Sequence, residues 1–116
     1  PSPDLGWAGM ERESLLRRGP VGLVLMLALV HHLAIGNNVP LTSVFEFASA
    51  CGEWLIIEFV PKSDSQVRKM LEARKDIFDG YHQEGFEDAA ARFFSIVDRK
   101  AIPGTERTLY LMRRPA

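Results

Sequence analysis

Three histidines, a single cysteine and one oddly placed glutamate are the side chains of this 116-residue sequence whose types and surroundings could support chemistry. His31 and His32 stand side by side, directly after an apolar run. Imidazole exchanges its proton near neutral pH, so a histidine at the mouth of a pocket offers a general base. Neighbouring residues in a helical turn point about 100° apart, so one of the pair faces a pocket while the other packs or caps. The spacing alone leaves open which of His31 and His32 takes the first role. A histidine that follows a buried strand is equally a hydrogen-bonded core residue, and the sequence keeps that reading open. Glu58 sits near the end of a run otherwise made of Trp54, Leu55, Ile56, Ile57 and Phe59. Burying a carboxylate is costly unless it is paired or points into a cleft, so Glu58 is either a functional acid or an arginine's partner. Cys51 lies on an apolar helical stripe with no cation beside it, which reads as an inert buried thiol. Adjacent histidines rarely hold one ion together, and His82 would have to arrive from a distant loop, so no metal is expected. No Ser or Cys nucleophile constellation and no phosphate-binding loop is present.

The elements that must position these residues can be read from patterning. Val21 to Val30 is apolar apart from Gly22, the pattern of a strand covered on both faces. In open α/β sheets ligands bind outside the carboxyl ends of the strands, where His31 and His32 would then lie. Pro40 suits the first position of a helix in which Leu41, Val44, Phe45, Ala48 and Cys51 recur at helical spacing and Gly52 ends the run. Glu53 to Val60 is a second strand, and strand, helix, strand implies a right-handed crossover between parallel strands. Ser63 as cap with Gln66 three residues on forms a capping box for a helix carrying Val67, Met70 and Leu71. Arg74 to His82 lacks a period; its Phe78 and Tyr81 either shape a pocket or pin the loop to the core. Gln83 to Phe93 is a third amphipathic helix. Phe94 to Asp98 and Thr108 to Met112 form an antiparallel pair reversed at Pro103-Gly104. Ahead of all this, Pro1 to Gly9 reads as a loop with Trp7 as a lid, and Met10 to Arg18 as a short helix stopped by Gly19-Pro20.

With 47% apolar and 25% charged residues the chain is globular, one α/β domain over residues 1–116. A net charge of -1 offers no basic surface for nucleic acid. Val21 to Val30 is too short for a bilayer, which needs roughly 20 apolar residues, so no membrane partner is expected. The lone cysteine fits a reducing cytoplasm. The chain opens Pro1-Ser2-Pro3 without an initiator methionine, and an excised piece of a longer protein is the simpler explanation.

A parallel sheet finished by an antiparallel carboxy-terminal hairpin resembles the second half of the class I S-adenosylmethionine-dependent methyltransferases. LVLMLALVHHL is similar to that family's fourth strand and the short helix after it, with His32 at the usual histidine place. WLIIEFVPKSD is similar to the fifth strand with its acid and proline. FEDAAARFFSIVDRKAIPGTERTLYLMRR is similar to the closing helix, strand, reversal and strand. Within the family the chain most resembles bacterial methyltransferases associated with nodulation.

The resemblance implies a partial Rossmann-like sheet, two parallel strands plus the hairpin, with helices on both faces. It implies that Leu27 and Ala28 line the S-adenosylmethionine pocket and that His31 and His32 face the acceptor side. Glu58, Phe78 and Tyr81 are the substrate-side candidates by position. The glycine-rich turn after the first strand and the ribose-binding acid of the second are missing, no G-x-G occurs, and Gly22 replaces an acid at the start of the fourth strand. The implied partner is therefore the missing amino-terminal half, and the fragment is inactive alone, with the acceptor atom open. The rival is a non-catalytic α/β interaction module. Without the first three strands, residues 21–28 become an unpaired edge, apolar on both faces, through which the chain would form a homodimer.

Overall fold

The computed structural model describes residues 15–18, 22–73 and 75–115. Its elements are β1 (Leu15–Arg18), β2 (Leu23–Met26), a π-helical turn (His32–Gly36), α1 (Leu41–Cys51), β3 (Trp54–Phe59), α2 (Ser65–Glu72), α3 (Gln83–Ala91), β4 (Ser95–Ala101) and β5 (Thr108–Arg113). The strands form one five-stranded sheet in the order β1-β2-β3-β5-β4.

The expected parallel pairing is present: β2 and β3 run side by side, Leu23 opposite Trp54 and Met26 opposite Ile57. Gly22 and Gly52 make the start of this pair possible. A Cβ on Gly52 would fall 2.2 Å from the Gly22 carbonyl oxygen, and Gly22 itself takes φ +71. Next to β3 lies the last strand, β5, antiparallel to it, and β4 pairs antiparallel to β5 on its outer side. A single antiparallel strand thus stands between strands that run the same way.

Burial alternates along β2, where Val24 and Met26 are fully buried while Leu23 and Leu25 are half-buried. One face of the sheet is therefore sealed and the other only partly covered by the described residues, which corrects the expectation of a strand enclosed on both sides. The sealed face carries Leu55, Ile57, Tyr110 and Met112, all fully buried. Against it pack Val44, Phe45 and Ala48 of α1 and Phe86, Ala89 and Ala90 of α3. Phe86 is the hub: its ring lies 5.1 Å from Phe45, 4.9 Å from Phe59 and 5.1 Å from Tyr110, centroid to centroid. Such offset and edge contacts add to the area each ring removes from water.

Four expectations are corrected. Leu15–Arg18 is not helical but forms β1, antiparallel to β2, with Leu15 opposite Met26 and Arg18 opposite Leu23. A strand edge of unpaired N–H and C=O groups outweighs a weak helical pattern, because those groups must find partners. The edge at residues 21–28, expected to be unpaired, is accordingly occupied by β1 over Leu23–Met26. The first of the parallel strands also ends at Met26 rather than Val30, since Ala28 turns to φ 54 and breaks the extended run. At α2 the cap is Asp64, not Ser63: the Asp64 side chain accepts the Gln66 N–H at 2.9 Å, while Ser63 Oγ donates to Glu106. Asp64 wins because its carboxylate also serves an arginine. The loop with Trp7 and the first part of the expected Met10 to Arg18 helix lie outside the described residues. Among the described residues no helix is long and apolar enough to cross a membrane.

Candidate functional site

The carboxyl end of β2 is where the backbone leaves ordinary geometry. Ala28 adopts φ 54, a left-handed conformation that costs an L-residue roughly 1–2 kcal/mol and that something else in the fold must hold in place. The holding group is Glu58, whose Oε1 accepts the Ala28 N–H at 2.7 Å. Glu58 is near the end of β3, one strand over, and it is buried, so its second oxygen also needs a partner.

That partner is Arg107, in the segment leading into β5, whose Nη1 lies 3.3 Å from Glu58 Oε2. The same guanidinium grips Asp64, Nε to Oδ2 at 2.8 Å and Nη2 to Oδ1 at 3.3 Å. This is the forked, two-bond geometry in which an arginine recognises a carboxylate most specifically. Nη2 also reaches Gln66 Oε1 at 3.4 Å. Gln66 Oε1 in turn lies 3.1 Å from His31 Nε2. One continuous polar chain therefore runs from the Ala28 amide through Glu58, Arg107 and Gln66 back to His31, closing on both ends of the Ala28 to His31 turn.

The electrostatics follow from that chain. Arg107 holds the Asp64 carboxyl below its usual range, and Asp64 raises Arg107 in return. Burial holds the His31 imidazole below its ordinary value, against the opposing pull of the Gln66 hydrogen bond, so the neutral ring is favoured. His31 is fully buried, and its ring lies 4.2 Å from that of His32, tilted by 37° to it; His32 is half-buried. Leu27, by contrast, is 43% exposed.

The structure brings Ala28, His31 and Glu58 into one hydrogen-bonded group with His32 against it. Phe78 and Tyr81 lie elsewhere: with Ala34, Val39, Pro40 and Leu41 they line an apolar groove of about 340 Å³. Tyr81 is buried there and donates its hydroxyl to the Val60 carbonyl at 2.5 Å, and burial pushes its phenol well up. Glu58 instead borders a separate cleft of about 720 Å³ with Asp64, Glu106 and Arg107. His82, the third histidine, caps α3 by accepting the Gly85 N–H on Nδ1 at 3.0 Å. Sequence reasoning missed Arg107, Asp64 and Gln66 as members of this group. The available signal was Glu58 itself, whose burial demanded a cation, but the cation is 49 residues away.

The protein has a relative of known name. It is 45% identical over 114 residues, 98% of its length, to "Nodulation protein NoeA" of Rhizobium meliloti (strain 1021). The chain spans 24% of that protein's length. No protein-family model matches the chain, and no solved structure matches it.

Proposed function

We propose that this chain is the carboxy-terminal part of an S-adenosylmethionine-dependent methyltransferase. The observation that carries the reading is the coincidence of two features. A parallel pair, β2 and β3, is completed by an antiparallel final strand, and the turn leaving the carboxyl end of β2 carries the paired histidines. Ligands of open α/β sheets bind at that end.

The residues at the β2 exit fit one wall of a cofactor pocket. Leu27 is exposed and Ala28 contributes a methyl group on a turned backbone, an apolar surface suited to the flat adenine ring of S-adenosylmethionine. The Ala28 amide and both Glu58 oxygens are engaged within the protein, so the cofactor's polar groups would be held by residues outside this chain. That the chain spans 24% of its relative is compatible with such a missing half. When bound, the cofactor supplies an activated methyl group. The chain's own share is to orient reactants and to take a proton, and His32, half-buried beside the packed His31, is the base. Glu58 acts from behind, by fixing the turn.

Titration of the chain with S-adenosylmethionine, followed by amide chemical shifts, tests the reading. Shifts at Leu27, Ala28 and His32, strengthened in the full-length protein, are the expected result. No response in either protein would overturn it.

A further inference from the structure

The polar chain at the β2 exit has a direction that fixes one proton. Arg107 has only donors on its guanidinium, so whichever Gln66 amide atom faces it must be the oxygen. That oxygen is the atom 3.1 Å from His31 Nε2, and an oxygen turned toward Nε2 accepts a proton from it. His31 Nδ1 is buried and has no hydrogen-bond partner among the described residues. A proton there would be a buried donor with nothing to receive it, which is the costlier arrangement.

We infer that Arg107, acting through Gln66, locks His31 in the neutral tautomer protonated at Nε2, leaving Nδ1 as a bare acceptor within the turn that leaves β2. Arg107 and Gln66 are then positioning residues for the proposed site, and the inference rests on that reading only for its use in catalysis. The groups that face His31 are Gln66 and Asp64 from α2 and its cap, Arg107 from the approach to β5, and His32 from its own turn. Arg107 and His32 disfavour a second proton on the ring, Gln66 and Asp64 favour one, and burial decides for the neutral form. A neutral ring protonated at Nε2 can accept a hydrogen bond at Nδ1 but cannot donate one there.

Two-bond ¹H–¹⁵N correlation spectra of the histidine-labelled chain read which imidazole nitrogen carries the proton. The expected spectrum at neutral pH has His31 protonated at Nε2 alone. Arg107→Lys keeps that signature, because an ammonium also only donates. Gln66→Leu, at an exposed position on α2, replaces the single form with a mixture in which Nδ1–H appears. Arg107→Leu does the same by freeing the Gln66 amide to turn over. A wild-type His31 protonated at Nδ1 or on both nitrogens overturns the inference. So does a Gln66→Leu chain that keeps the wild-type amide spectrum and a pure Nε2–H form. The measurement needs no S-adenosylmethionine, so failure of the lock and failure of the methyltransferase reading are separate results.

Discussion

Two carboxylate–arginine clusters in this protein use the same chemistry at different depths. At the β2 exit, the side chains of Arg107, Glu58 and Asp64 are only 17%, 10% and 11% exposed. On the α3 side of the hairpin, Arg99 of β4 pairs with Glu87 at 58% and 28% exposure, and Tyr110 donates its hydroxyl to the same carboxylate at 2.5 Å. In the first cluster every carboxylate oxygen was taken from water and must be repaid by a fixed partner. In the second, water and salt can substitute for either partner. Depth, more than the number of ion pairs, decides which cluster the fold depends on.

The largest expected effect is at Arg107. Arg107→Leu leaves Glu58 and Asp64 buried without a counter-charge, and the unfolding free energy from urea titration is expected to fall by about 3 kcal/mol. Arg107→Lys should recover only part, because an ammonium cannot fork across Asp64 while reaching Glu58. Glu58→Gln keeps a carbonyl for the Ala28 N–H but loses the charge facing Arg107, and should cost about 1–2 kcal/mol in the same titration.

A graded effect should appear with pH. His31 and Asp64 both have folded-state values below their ordinary ones, so each contributes stability that is complete above its ordinary value. Each contribution is lost as the pH falls from that value toward the lower folded one. The urea midpoint should therefore decline below pH 6.5 through His31 and again below pH 3.8 through Asp64. In His31→Phe the first decline should vanish and the second persist. A small gain, about 0.5 kcal/mol, is expected for Ala28→Gly, where relief of the left-handed strain exceeds the glycine's extra chain entropy. Smallest of all is Arg99→Ala, which should leave the urea midpoint unchanged. Equal losses in the Arg99 and Arg107 variants would break the comparison.

The elements that carry the site were mostly legible. Leu41, Val44, Phe45 and Ala48 repeat at helical spacing because one face of α1 must meet the sheet, and α1 forms where that spacing lies. The apolar run Trp54 to Phe59, bounded by Gly52 and Pro61, is β3. The failures have a common cause in long-range pairing. Leu15 to Arg18 has no strand pattern of its own and becomes one because β2 offers an open edge. Asp64 displaces Ser63 as cap because Arg107 reaches it from 43 residues away. Phe78 and Tyr81 were grouped with Glu58 by their place above the sheet, yet Val39 and Leu41 draw them into a different groove.

What the sequence by itself determined was the order of the strands and helices from β2 onward, the place of the histidines at a strand's exit and the anomaly of a buried Glu58. Those are local facts, written in spacing and in the cost of burying a charge. Only the tertiary structure decided that Arg107 answers Glu58, that Gln66 meets His31, and that β1 covers the edge of β2. A partner's identity depends on which distant groups the completed sheet brings within about 3 Å, the range at which hydrogen bonds act, and no local pattern encodes that distance.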